Sequence, residues 1–134
     1  MVYKKYSTFS NIEWRQDDIR KFTFQIKDTT YSHNIIIPVR YTYGYRNSDL
    51  RVKVIWEGPD GFSKVDEVSI PIRDSHGKFL GKGMGDIWDI EFPYKNGVTL
   101  KKGTYTLSLQ HQMNRDPFPF VMEVGIVVKQ NFED

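Results

Sequence analysis

Thr104-Tyr105-Thr106-Leu107-Ser108-Leu109-Gln110-His111 places an apolar or aromatic side chain, and finally a histidine, at every second position, with a polar one between. Successive side chains of a strand turn to opposite faces, so this period of two marks a strand with one buried and one wet face. Turns bound the strand upstream at Lys95-Asn96-Gly97 and Lys101-Lys102-Gly103. Downstream, Asn114 to Phe120 reads as a loop with two prolines, and Val121 to Lys129 as the last strand. Further back, Phe22, Phe24 and Ile26 alternate with polar residues, as do Leu50, Val52, Val54 and Trp56. Gly58-Pro59-Asp60-Gly61 is a turn that sends the chain back through Val65 to Ile72. Asn34 to Tyr41 is a β-branched run whose Pro38 predicts an edge position or a bulge. Ile87 to Tyr94 completes the set, after a glycine-rich loop over Asp74 to Asp86.

No window carries a 3.6-residue period over three turns, and the chain has no alanine, the best helix former. Tyrosine, phenylalanine, valine, isoleucine and threonine take its place, which suits half-buried pleated surfaces. Seven or eight short strands joined by turns predict an all-β fold, an antiparallel β-sandwich of jelly-roll-like character. The 134 residues suit a single domain, with residues 12–130 globular, residues 1–11 a tether remnant and residues 131–134 a tail. There is no cysteine, which excludes disulfides and thiolate chemistry together. The 19 basic and 17 acidic side chains are interspersed, and the longest basic runs are pairs, which argues against nucleic-acid binding.

Few residues suggest catalysis. The glycine-rich run Gly77 to Asp86 lacks the Gly-Lys-Ser/Thr ending and following helix of a phosphate loop, so it reads as a tight connection. His33, His76 and His111 lack the close spacing of paired zinc ligands, and His111 reads as a core or rim histidine. No serine sits in a Gly-x-Ser-x-Gly elbow. Asp86, Asp89 and Glu91 lack the EF-hand pattern and read as a solvated acidic edge. Neither a catalytic residue, a metal nor a cofactor is therefore expected. The aromatics offer a binding surface instead. Trp14, Trp56 and Trp88 are expected in the core, whereas Tyr41, Tyr43 and Tyr45 fall on one face of an extended segment, open between core and surface. Phe118 and Phe120, stiffened by Pro117 and Pro119, would make a preorganised protein-binding tip if exposed.

The order of these motifs resembles the GldH family, the gliding-motility-associated lipoproteins of the Bacteroidetes. The resemblance runs from Trp14, Asp17-Asp18-Ile19, Phe22 and Asp28 through Arg40, the Tyr45 to Leu50 turn and Pro59-Asp60-Gly61. Its most specific part is the loop carrying Gly77, Leu80, Gly81, Gly83, Gly85 and Asp86. It ends with Gly103-Thr104-Tyr105, Gln112-Met113 and Val124-Gly125-Ile126, so it spans about residues 12–128. The chain departs from the family at Asp49, where an asparagine is usual, and at Asn114, which separates Arg115 from the methionine.

The resemblance, not the composition, implies a lipid-anchored protein of the cell envelope, periplasm-facing or outer-membrane-associated. It also implies a signal sequence and lipid-bearing cysteine ahead of a trimmed mature domain. It implies partners among the envelope proteins of the gliding machinery and its associated secretion system, and no catalytic residues. A carbohydrate-binding module, with a glycan as ligand, is the alternative that the aromatic content and fold class allow.

Overall fold

Residues 2–133 are described by a computed structural model, and they form eleven strands. These are β1 (Tyr3–Thr8), β2 (Glu13–Trp14), β3 (Arg20–Ile26), β4 (Ser32–Thr42), β5 (Asp49–Glu57), β6 (Ser63–Pro71), β7 (Lys82–Met84), β8 (Ile87–Val98), β9 (Gly103–His111), β10 (Phe118–Pro119) and β11 (Val121–Asn131). Three of them, β2, β7 and β10, are only two or three residues long. The other eight are the strands expected from alternation and turn chemistry, plus one at the N-terminus.

All pairings are antiparallel. One sheet has the order β1-β11-β4-β8-β7 and the other β3-β9-β5-β6, with β10 and β2 forming a small ribbon. Counted among the eight long strands alone, the sheets hold the first, eighth, third and sixth, and the second, seventh, fourth and fifth. That interleaving is the jelly roll, in which two Greek keys wrap into a sandwich. The period-2 positions of both sheets meet between them. Phe22 and Phe24 of β3, Leu107 and Leu109 of β9, and Val52 and Val54 of β5 face Ile35, Ile37 and Val39 of β4 and Ile126 and Val128 of β11, all buried in one cluster. Fully burying each such side chain contributes about 1.5–3 kcal/mol relative to exposure.

The sandwich is also latched by polar groups. The Trp56 indole N–H of β5 donates to the Tyr94 hydroxyl of β8 at 2.5 Å, and that hydroxyl donates to the Asp66 carboxylate of β6. Lys95 lies 3.5 Å from the same carboxylate. The chain therefore joins the two sheets through a buried-to-surface hydrogen-bond relay.

Four expectations need correction. Residues 3–8 are not a tether: they pair along β11 from Tyr3↔Val128 to Thr8↔Glu123. Arg20 holds this strand to β3 by donating to the Ser7 hydroxyl at 2.6 Å and the Thr8 carbonyl at 3.1 Å. Pro38 lies on neither an edge nor a bulge of its own, because β4 is the middle strand of the larger sheet. Its missing N–H is tolerated because the paired residues skip from Val124↔Val39 to Val127↔Ile36, and its ring packs where Gly125 has no side chain. Lys95-Asn96-Gly97 does not end a strand but forms an irregularity within β8. Part of the glycine loop is itself the edge strand β7, so Asp89 on β8 pairs with Lys82 and is not at an open edge.

Candidate functional site

The tyrosine triplet is split by a turn. β4 ends at Thr42, Tyr43 and Gly44 form a turn, and the Tyr45 amide donates back to the Thr42 carbonyl at 3.0 Å. Tyr41 and Tyr45 are fully buried, whereas Tyr43 is 70% exposed. The one-face expectation fails because strand alternation stops between the first and second members. The Tyr41 hydroxyl donates to the Leu80 carbonyl, and the Tyr45 hydroxyl to the Asp49 carbonyl at 2.6 Å. Burial pushes the Tyr41 hydroxyl up to about 12 and raises that of Tyr45 further. Both hydroxyls therefore stay protonated donors at neutral pH, clamping the loops on either side of Tyr43.

The signature loop is built against this turn. The Leu80 amide donates to the Ile72 carbonyl at 2.7 Å, and Gly77 offers its carbonyl to the Arg73 guanidinium at 2.6 Å. Gly81 lies against the Asp89 backbone. Gly85, at φ +63°, and Asp86 turn β7 into β8, and the Asp86 carbonyl accepts from the Tyr43 amide at 2.8 Å. Gly83 is required for a different reason. A Cβ there would sit 2.7 Å from the Trp88 indole, so only glycine lets that ring lie flat on β7.

These contacts leave an open groove of about 640 Å³. Phe79 forms its centre, 5.3 Å from Trp88, 5.4 Å from Tyr41 and 6.3 Å from Tyr43 between ring centroids. The Arg73 guanidinium stacks 4.1 Å above the Phe79 ring and donates to the Tyr45 carbonyl at 2.5 Å. Arg46 and Lys78 complete the lining. Trp88 is thus only partly buried, contrary to the core expectation, which Trp14 and Trp56 do meet. Phe79, Arg46, Arg73 and Lys78 were not singled out from sequence. Phe79 alone carried a signal, as an aromatic residue inside a glycine-rich loop.

The Pro-Phe-Pro-Phe segment does not form an exposed tip. Phe118 is buried, with its ring 5.5 Å from Tyr45 and 5.9 Å from His111. Phe120 is half-buried and lies over Gly44, where a Cβ would approach its ring to 2.6 Å. The apolar gain from covering both rings outweighs exposure, because pairing of Phe118 with Trp14 draws the segment onto the sandwich. His111 is fully buried beneath it. Its Nδ1 accepts from the Met113 amide at 3.2 Å, and its Nε2 lies 3.7 Å from Asp116. Burial holds its pKa below the ordinary histidine value, against the attraction of Asp116. His33 is also buried, while His76 is exposed. Asp89 is engaged by Arg40 at 2.8 Å, and among the described residues no three histidine, aspartate or glutamate groups converge on one point.

The class that the fold defines is the all-β jelly roll, here with an open aromatic groove on its surface. Comparison with known proteins narrows that class. The chain matches the family described as GldH lipoprotein over residues 1–128. It is 28% identical over 109 residues to the gliding motility lipoprotein GldH of Flavobacterium johnsoniae, covering 81% of this chain and 67% of that one. It is likewise 28% identical over 116 residues to a gliding motility lipoprotein GldH homolog of Christiangramia forsetii, covering 86% of this chain and 70% of the relative. The chain belongs to the GldH lipoprotein family.

Proposed function

We propose that this domain is a non-enzymatic, lipid-anchored component of the cell envelope that acts in a protein assembly of the gliding machinery or its associated secretion system. The relatives are named gliding motility lipoproteins, and the family is one of lipoproteins. The observation that carries the reading is the groove beside Tyr43. The loop that carries the family resemblance builds its floor from Phe79 and seats Trp88, and hydrogen bonds from Tyr41, Tyr43 and Arg73 fix that loop. A preformed aromatic surface loses little side-chain freedom on docking, which favours its use as a contact.

The test is a crosslinking pull-down from native cells, comparing wild type with a Tyr43→Ala/Trp88→Ala variant whose fold is confirmed by melting. Recovery of gliding or secretion components by wild type, and their loss from the variant, is the expected result. Equal recovery by both proteins counts against the groove, and recovery of no envelope protein counts against assembly.

The alternative reading is a carbohydrate-binding module, favoured by Tyr43 and Trp88 flanking Phe79 on an open surface, where sugar rings could stack. It expects glycans to raise the melting temperature, and Tyr43→Ala to abolish the shift without unfolding. No shift across a broad glycan panel would dispose of it.

A further inference from the structure

Arg46 lies between two clefts, not one. On one side is the groove of Tyr43, Phe79 and Trp88, with Arg73 and Lys78. On the other is a smaller cleft of about 240 Å³ where Arg46 is joined by Arg51 and Arg115 over Met113 and Phe120. No aspartate or glutamate lines either cleft. Among the described residues, none of these five cations has a carboxylate within 4.0 Å. The carboxylates nearest in sequence accept from other donors. Asp49 accepts from the Ser69 hydroxyl at 2.6 Å, Asp74 from the His76 and Lys78 amides at 2.8 and 3.0 Å, and Asp116 from the Gln16 amide at 2.8 Å. In a chain of net charge only +2, five cations thus line two adjoining clefts without a salt bridge among the described residues. Such a field draws in and orients anionic ligands.

We propose that the two clefts form one continuous docking site for an extended acidic peptide segment of a partner protein. The inference rests on the assembly reading above and names the chemistry of its contact. Cations and apolar surfaces share both linings: Trp88 and Phe79 stand with Arg46, Arg73 and Lys78 in one cleft, and Phe120 and Met113 with Arg46, Arg51 and Arg115 in the other. That mixture suits a chain that carries both acidic and apolar side chains. Beside the first cleft β7 ends its sheet, and an extended peptide can add hydrogen bonds to a sheet edge. Planar guanidinium groups suit paired recognition of carboxylates.

The purified chain would be titrated by fluorescence anisotropy with a labelled peptide of repeated Asp-Gly-Glu-Phe units, and with its Asn-Gly-Gln-Phe analogue. Oligogalacturonate and phosphatidylglycerol vesicles form the other arms. The acidic peptide is expected to bind at least about tenfold more tightly than the neutral one, with the difference shrinking at high salt. Arg46→Glu should remove that difference without altering the melting temperature, whereas Lys27→Glu, at the opposite end of the sandwich, should leave it in place. Equal binding of the two peptides, unchanged binding by Arg46→Glu, or binding of the glycan or vesicles but not the acidic peptide overturns the proposal. If the acidic peptide fails while the pull-down from native cells still depends on Tyr43 and Trp88, the assembly reading survives and only the acidic chemistry falls.

Discussion

The Trp88 indole rests on Gly83 so closely that a Cβ at residue 83 would lie 2.7 Å from the ring. This contact makes the groove's wall depend on a missing side chain. Gly83→Ala should tilt or expel the indole, while the core strands stay paired. Trp14 and Trp56 are buried, so acrylamide quenching of tryptophan fluorescence reports mainly on Trp88. The expected result is increased quenching with a stability loss of about 1 kcal/mol, since a half-exposed ring can move aside. Unchanged quenching would show that Trp88 does not need the glycine.

His33 and His111 are both buried, and burial lowers both pKa values. Asp28 and Asp116 attract the respective imidazolium forms and offset part of that effect. The folded protein therefore keeps both rings neutral at a pH where the unfolded chain, with ordinary values near 6.5, already binds protons. Stability is full above that value and falls as pH drops from about 6.5 toward the folded values, by at most ~1.4 kcal/mol per pH unit per histidine. Melting temperature should hold from pH 7.5 to about 6.5 and decline from there toward pH 5. His111→Gln should flatten the decline, and an identical slope in that variant would remove His111 from the account.

The sequence made the strands legible because alternation is local. Leu107 and Leu109 announce their face through the polar residues beside them, and the turn at Gly58 to Gly61 announces the return of the chain. What escaped was set by distant partners. Tyr3 to Thr8 has no alternation of its own and becomes a strand because the β11 edge and Arg20 accept it. Pro38 argues for an edge until Gly125 is known to lie across from it. The candidate site was half legible. The glycine loop stood out by composition, but the cations around Arg46 come from separate loops and, for Arg51, from strand β5, and only folding shows that they lack salt-bridge partners among the described residues.

Phe118 and Tyr43 looked alike in sequence, as aromatic residues in turn-rich segments, yet the fold assigns them opposite duties. Phe118 is 4% exposed and packs on Tyr45 and His111, so removing it opens a cavity above a buried imidazole. Tyr43 is 70% exposed and touches the body through its backbone amide and the Phe79 ring. Phe118→Ser should therefore cost about 3–5 kcal/mol, the range for emptying an aromatic core position. Tyr43→Ser should stay within about 0.5 kcal/mol of wild type, as surface substitutions do, and affect binding alone. Urea unfolding of the two variants separates these roles, and equal losses would mean that the Tyr43 ring belongs to the fold and not to a recognition surface.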